Sequence, residues 1–130
     1  MKNILVPVGS SKNAVSHLQY AVDFAQNFGA KVFVVQVYNV FTKAGTMIKV
    51  DKIIERESLE FLKGLVSQID TKGVEVITKT LKGDLIDTLE LACKAADVDL
   101  VLVLNSITNA TLMIPKSTFY LLISLFLFSA

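Results

Sequence analysis

The stretch Asn3-Ile4-Leu5-Val6-Pro7-Val8-Gly9-Ser10-Ser11-Lys12-Asn13 decides the fold, because it is typical of a buried strand, a tight loop and the start of a helix. Its apolar run is nearly continuous from Ile4 to Val8, as in a strand that is covered on both faces. Pro7 has no amide donor, which indicates that the strand ends there. Such strands occur in parallel sheets that are packed between helices.

The loop after this strand is the first candidate site, since ligands of open parallel α/β sheets bind beyond the carboxyl ends of the strands. Gly9 predicts a sharp turn that a side chain would obstruct. Ser10 or Ser11 can cap the following helix. Together with Lys12 these residues could hold an anion through free amides, hydroxyl groups and the helix dipole. The simpler interpretation, which we favour, is a turn followed by a helix cap.

The overall composition limits the possible classes of protein. The chain has 130 residues, enough for one domain, and a net charge of +1, which gives no global argument for nucleic-acid binding. Cys93 is the only cysteine, which excludes an internal disulfide and favours a reducing compartment. Pro7 and Gly9 interrupt the first apolar run, so we expect no signal peptide. The apolar run at residues 119–128 is shorter than the roughly twenty residues that a membrane-spanning helix needs. These features predict a cytoplasmic protein without a membrane span.

Strand and helix patterns alternate along the chain, which predicts right-handed crossovers and a parallel sheet. The spacing predicts helices over Lys12–Asn27 and Met47–Asp70 and after Lys82-Gly83-Asp84, and further strands over Lys31–Val37, Val74–Thr80 and Asp99–Leu104. The third strand alternates in polarity, as an edge strand does. Asp84 is the expected cap of the third helix, and Gly29 suits the end of the first. The predicted fold is a Rossmann-like open parallel α/β sheet of order βαβαβαβ.

The composition changes at about Leu104. Lys116 is the only charged residue in the following segment to Ala130, and this segment contains no glycine. It has no clear helical or strand period, so no fifth strand is recognisable. We therefore divide the chain into an incomplete α/β domain at residues 1–104 and an apolar tail at 105–130. Its apolar end could form a closing strand or a buried helix.

Three pieces of the chain together resemble the universal stress protein family. They are Asn3-Ile4-Leu5-Val6-Pro7-Val8 with the helix that ends in Phe28-Gly29-Ala30, the strand Val32–Val37, and Lys82-Gly83-Asp84 with the following helix and Ala96–Val103. The resemblance covers about residues 1–103. It implies a five-stranded, Rossmann-like fold of the adenine nucleotide alpha hydrolase-like kind, frequent dimerisation and, in some members, ATP or AMP as ligand. Carried over to this sequence, it implies a nucleotide-binding set of Val8, Gly9, Ser10, Ser11 and Val37, where Val37 matches the position whose backbone contacts adenine.

Two departures from the family pattern weaken the expectation of nucleotide binding. ATP-binding members carry an aspartate where this chain has Gly9. They also carry a glycine-rich loop after the fourth strand, which brings backbone amides close to phosphates, whereas no glycine follows Leu104 here. We consider two explanations: the reading frame was lost near Leu104, or the tail has diverged. A family-like continuation in another frame of the coding DNA would support the first.

Other chemically active side chains have simpler interpretations. His17 is the only histidine, and we expect a partly exposed helix residue without a metal or catalytic role. Cys93 lies on the apolar face of the third helix and is expected to be an inert core thiol. Asp97 and Asp99 are typical of a turn before a strand. We therefore expect no catalytic residue and no metal site.

The leading functional hypothesis is a non-enzymatic, stress-response module of the universal stress type, with weak or no ATP binding. It would act as a homo-oligomer, such as a dimer, or together with a second module of the same type, and it would not bind nucleic acid. One alternative is a stress protein that binds ATP or AMP. A less favoured alternative is an ATP-pyrophosphatase-type enzyme, because residues 9–12 loosely resemble the loop of that group but lack its double glycine.

Overall fold

The computed structural model describes residues 1–9, 13–38, 47–104 and 111–121, and for residues 47–50 it describes the backbone alone. Strands and helices alternate as far as the fourth strand, and a fifth strand and a short helix follow. The elements are β1 (Asn3–Pro7), α1 (Ala14–Phe28), β2 (Lys31–Tyr38), α2 (Met47–Ser67), β3 (Val76–Lys82), α3 (Leu85–Ala95), β4 (Leu100–Leu104), β5 (Thr111–Pro115) and α4 (residues 116–121).

The strands form one five-stranded sheet in the order β3-β2-β1-β4-β5. The pairs β1–β2, β1–β4 and β2–β3 are parallel, whereas β4 and β5 are antiparallel. This arrangement confirms the predicted Rossmann-like α/β class and the position of β3 at an edge. Because β2 and β4 both flank β1, the chain reverses its direction of travel across the sheet at β1, and this reversal is where open α/β sheets leave a crevice.

The core lies on both faces of the sheet, because successive residues of a strand point to opposite sides. Ile4 and Val6 of β1 pack with α1 and α2 on one face, and Leu5 packs with α3 and Phe119 on the other. All three β1 residues are at most 1% exposed. The near-continuous apolar run of β1 therefore has its predicted cause, which is burial on both faces.

The position of helix α1 is explained by its stripe of apolar residues and by the glycine that ends it. Leu18, Val22 and Ala25 have no exposed surface and face the sheet. Gly29 closes the helix in the left-handed conformation, with φ at 63°, and its amide donates to the carbonyl of Gln26. The predicted role of Gly29 as the terminating residue is confirmed, since that conformation carries no steric cost for glycine.

The expectation of four strands without a recognisable fifth is wrong. Residues 111–115 form β5, and only residues 105–110 separate β5 from β4. A connection of that length is too short for a parallel crossover, so the fifth strand runs antiparallel. The sequence pattern hid β5 because the strand is only partly covered: Leu112 and Met113 are 44% and 42% exposed, and Ile114 alone of its apolar residues packs on the core.

Two element boundaries also differ from their predicted positions. Strand β3 covers Val76–Lys82 instead of residues 74–80, and α2 ends at Ser67 instead of Asp70. Among the described residues, no helix is both long enough and apolar enough to cross a membrane. The division of the chain at residues 104 and 105 stays a prediction, although β5 extends the sheet beyond it.

Candidate functional site

The predicted binding loop begins at the carboxyl end of β1. The Val8 amide donates to the Val35 carbonyl at 2.9 Å, so the pairing of β1 with β2 continues one residue past Pro7. Val8 is half-buried, and Gly9, the next residue, is exposed. Ser10 and Ser11 complete the predicted set on this loop and, like Lys12, lie outside the described residues.

Gly9 does not need the backbone freedom that the sequence suggested for it. Its φ is outside the left-handed region, and a Cβ built on it meets no described atom within 4 Å. An L-amino acid therefore fits at this position without backbone strain. The predicted sharp turn continues into residues 10–12, which lie outside the described residues.

Val37 lies near the end of β2, where β1 has stopped beside it. The Val35 carbonyl faces β1, and backbone groups in a parallel strand point to the same side at every second residue. The amide and carbonyl of Val37 therefore point past the end of β1, while the Tyr38 carbonyl points the other way and accepts from the Gly83 amide at 2.9 Å. The register Pro7↔Val35 brings Gly9 to the level of Val37. Both residues border the same crevice.

A cavity of about 300 Å³ lies at the carboxyl end of β4, against the first turns of α1. Its described lining residues are uncharged: Asn13, Ser16, His17, Tyr20, Leu104 and Thr111. They offer hydroxyl, amide and imidazole groups but no cation. A phosphate group in this cavity would therefore lack a basic side chain from the described part of the chain.

His17 is buried, which corrects the expectation of a partly exposed residue. Its side chain is sandwiched between α1 and the sheet with 2% of its surface exposed, and Nδ1 lies 3.0 Å from Oγ1 of Thr111. Burial lowers the pKa of His17 below its ordinary value, and the Leu102 backbone carbonyl partly opposes this effect. The sequence missed the burial because Thr111, the partner of the imidazole, lies in the unrecognised strand β5.

A second cavity of about 300 Å³ lies between the end of β2 and α2. Val37, Tyr38, Ser58 and Glu57 are among its lining residues, and Ser58 donates to Oε1 of Gln36 at 2.6 Å. Its described wall includes an acid and no base.

Acidic groups dominate the electrostatics beside this second cavity. Burial and then the charges of Asp51 and Glu55 raise the pKa of the Tyr38 hydroxyl above its usual value. Lys82, whose charge lowers the pKa of Tyr38, is itself paired with Asp51 at 3.0 Å. Among the described charges that act on Tyr38, the two acids therefore outnumber the one cation, a balance that disfavours an anion.

An apolar cavity of about 500 Å³ lies on the opposite face, between α3 and strands β2 and β3. Leu5, Phe33, Val35 and Leu81 form its floor, and Ala92 and Ala96 form its wall. Cys93 lies one residue along α3, fully buried, and burial raises the pKa of its thiol to about 11. The predicted position of Cys93 in the core is confirmed, and the raised pKa favours an unreactive, protonated thiol.

Three aspartates, Asp84, Asp97 and Asp99, were expected to be turn or cap residues. Asp84 occupies the N-cap position of α3, but its side chain makes no capping hydrogen bond, so capping does not explain this residue as expected. Asp97 and Asp99 precede β4, at the opposite end of the sheet. Asp99 accepts hydrogen bonds from the amides of Lys2 and Asn3, which lower the pKa of its carboxyl group.

No cluster of histidine, cysteine and acidic side chains that could hold a metal ion occurs among the described residues. The structure brings Val8, Gly9 and Val37 to one edge of the sheet, where His17 and Thr111 form the neighbouring wall. In its described part, the crevice thus combines backbone groups of β2 with neutral or acidic side chains.

A family-level comparison matches the profile of the universal stress protein family to residues 1–110. No curated protein sequence matches the chain.

Solved structures of universal stress proteins are similar to the chain in fold. A Burkholderia pseudomallei protein of this family is 24% identical, with a TM-score of 0.65, covering 78% of this chain and 80% of its own. A universal stress protein from Archaeoglobus fulgidus is 23% identical with a TM-score of 0.59, covering 86% and 84%. A structure of the Archaeoglobus fulgidus protein in complex with dAMP is 24% identical with a TM-score of 0.57, covering 79% and 80%.

Proposed function

This chain belongs to the universal stress protein family, and we propose that it is a non-enzymatic regulatory module of the stress response that binds adenine nucleotides weakly or not at all. We propose further that it acts in the cytoplasm by association with a second copy or with another module of the same type. The family supports the general role, and the crevice supports the weakness of nucleotide binding.

The observation that carries this proposal is the lack of glycine after β4, together with the lack of basic side chains in the described lining of the crevice. The last glycine of the chain is Gly83, so no glycine-rich loop follows β4. The described lining residues of the two crevice cavities include no lysine or arginine. A triphosphate carries several negative charges, and its binding in proteins depends on backbone amides or basic groups that neutralise them.

The same features argue against catalysis of phosphoryl or nucleotidyl transfer. Such reactions depend on groups that position the phosphates and stabilise the charge that develops in the transition state. The described lining of these two cavities includes no lysine or arginine that could hold a phosphate, and no metal-binding cluster occurs among the described residues. The ATP-pyrophosphatase alternative predicts release of pyrophosphate from ATP, and we expect none above the rate without protein.

A second candidate function is the binding of an adenine nucleotide with few phosphates. It is favoured by the backbone of Val37, whose amide and carbonyl point past β1 and can pair with the edge of a planar base. The dAMP complex of the Archaeoglobus fulgidus protein provides an example within the family. In this chain the base would contribute most of the affinity, because the described side chains that line the cavities beside the crevice include no lysine or arginine.

Ligand-dependent thermal and chemical unfolding tests both candidates. At a hundredfold excess over Kd, a specific ligand raises the free energy of unfolding by about 2.7 kcal/mol. The leading proposal expects no such increase for millimolar ATP or AMP. An increase for AMP that exceeds that for ATP would favour the second candidate. An increase for ATP that saturates at micromolar concentration would overturn the leading proposal.

Analytical ultracentrifugation between 5 and 200 µM chain tests the proposed self-association. A monomer throughout this range would argue against association with a second copy.

A further inference from the structure

The contact between His17 and Thr111 joins two elements that are otherwise weakly connected. His17 lies in the first turns of α1, and Thr111 is the first residue of β5. Their side chains meet at 3.0 Å, beneath the surface. The contact therefore spans the end of the sheet and holds the beginning of an edge strand.

Little at this site stabilises a positive charge: the Leu102 backbone carbonyl favours the protonated imidazole, but burial outweighs it. His17 is 2% exposed, and its Nε2 atom lacks a hydrogen-bond partner of acceptable geometry among the described residues. Burial is the main cause that lowers the pKa of the imidazole, and no charged group contributes to the shift. A buried cation without a counter-ion is costly, so the site favours the neutral imidazole.

The charged groups on the surrounding elements are engaged elsewhere. Asp23, farther along α1, binds Lys72 at 2.9 Å. Asp99, before β4, binds the amides of Lys2 and Asn3, and Lys116, after β5, lies 3.5 Å from Asp97. Protonation of His17 would consequently meet no carboxylate among the described groups that could stabilise the imidazolium.

Strand β5 is the element that can separate from the sheet when His17 becomes charged. Among the described strands it pairs with β4 alone, over five residue pairs, whereas α1 packs on the central strands through residues without exposed surface. Ile114 is its only residue that packs on the core cluster beneath α3. Separation of β5 would open the site to water at the cost of few apolar contacts.

We propose that the His17–Thr111 contact is an acid-sensitive latch: protonation of His17 releases β5 from β4 and leaves β1–β4 folded. The attached form binds a proton less readily than the released form, in which the imidazole regains water. Acidification below the ordinary pKa of histidine therefore raises the ratio of released to attached β5, by at most about tenfold per pH unit for one proton.

Histidine NMR and hydrogen exchange of the full chain test the latch. His17 is the only histidine, so its imidazole resonance reports one group without ambiguity. Backbone amide exchange is measured at several values between pH 7.5 and 5.0, each corrected for the intrinsic exchange rate. We expect protection at residues 111–115 to fall as His17 titrates, while protection in β1 and β2 stays constant.

His17→Asn is the matched variant, because its side-chain amide can reach Thr111 but does not titrate. We expect protection of residues 111–115 in H17N to be independent of pH over the same range. Equal loss of protection in H17N and in the unsubstituted chain would overturn the proposal, as would constant protection of β5 in the unsubstituted chain while His17 titrates. Simultaneous loss in β1 and β2 would also overturn it, since acid would then unfold the whole domain.

Thr111→Val serves as a second variant if H17N does not fold. It retains the titrating imidazole and removes its hydroxyl partner. We expect lower protection of residues 112–115 already at pH 7.5, with a further fall on acidification. Protection equal to that of the unsubstituted chain at pH 7.5 would show that the contact does not hold β5, and would overturn the latch.

Discussion

The carboxylate of Asp99 accepts a hydrogen bond of 2.7 Å from the backbone amide of Lys2. The Asn3 amide donates to the same Oδ2 atom at 3.0 Å, and the Asn3 carbonyl accepts from the Asp99 amide. These contacts join the beginning of β1 to the beginning of β4. They set the register in which Ile4 pairs with Leu100, and this pair lies at the base of the core.

Replacement of Asp99 by asparagine tests this junction. The two amides of Lys2 and Asn3 would lose a charged acceptor, and charge-assisted bonds contribute about 1.5–3 kcal/mol each before solvent exposure reduces them. Because Asp99 is exposed, we expect D99N to lower the free energy of unfolding by about 1 kcal/mol at pH 7. Urea unfolding measures it. Asp87→Asn, at an exposed position of α3, is the control and should change little.

The same junction predicts a dependence on acid. Hydrogen bonds from the Lys2 and Asn3 amides lower the pKa of Asp99 below its ordinary value of 3.8. The stabilisation is therefore complete above about pH 4 and is lost as the pH falls through the lowered value. The difference in free energy of unfolding between the unsubstituted chain and D99N should shrink below pH 4. A constant difference down to pH 2 would contradict this prediction.

Replacement by alanine is expected to have opposite effects on stability at Gly83 and at Gly64. At Gly83, φ is 145°, and an added Cβ would lie 2.5 Å from Oγ1 of Thr88. Gly64 lies within α2, and an added Cβ there meets nothing within 4 Å. We expect G83A to destabilise the chain by about 1–3 kcal/mol and G64A to stabilise it by about 0.5–1 kcal/mol. Denaturant midpoints of both variants give the comparison, and a neutral G83A would contradict it.

The central strands could be predicted from the sequence because their burial leaves a continuous apolar run. Residues 4–6, 32, 34, 35 and 100–102 are apolar and almost wholly buried, and each segment lies where its pattern predicted a strand. Gly29 likewise marks the end of α1, since its backbone needs a positive φ. For the central strands and for the end of α1, the local sequence is therefore sufficient to predict the structure.

The remaining features depended on contacts between distant parts of the chain. Strand β5 has one well-packed apolar residue, Ile114, and therefore no alternating pattern. The burial of His17 depends on Thr111, which is 94 residues away in sequence. The backbone groups of Val37 point past the end of β1, which depends on where β1 stops and does not follow from the sequence of β2 alone. Its part in binding stays a prediction.

Cys93 should be unreactive while the chain is folded. Burial raises the pKa of its thiol to about 11, so at pH 8 only about one thiol in a thousand is ionised, and its side chain has no exposed surface. We expect a thiol reagent such as 5,5′-dithiobis(2-nitrobenzoate) to react at a rate limited by unfolding. The rate should rise with urea concentration and become that of a free thiol above the unfolding midpoint.

This chain departs from the ATP-binding pattern in two ways: it has Gly9 in place of an aspartate, and it lacks the glycine-rich loop after β4. Substitution of Gly9 by aspartate distinguishes the effects of these two departures on ATP binding. The open space around Gly9 and its ordinary backbone conformation predict that G9D folds with a free energy of unfolding within about 0.5 kcal/mol of the unsubstituted chain. If the missing glycine-rich loop is what limits binding, the added carboxylate alone should not produce micromolar affinity for ATP. Isothermal titration calorimetry of G9D with ATP checks this, and Gly9→Asn, a neutral side chain of the same shape, is the control. Micromolar binding by G9D but not by G9N would place the limitation at residue 9 instead of in the segment after β4.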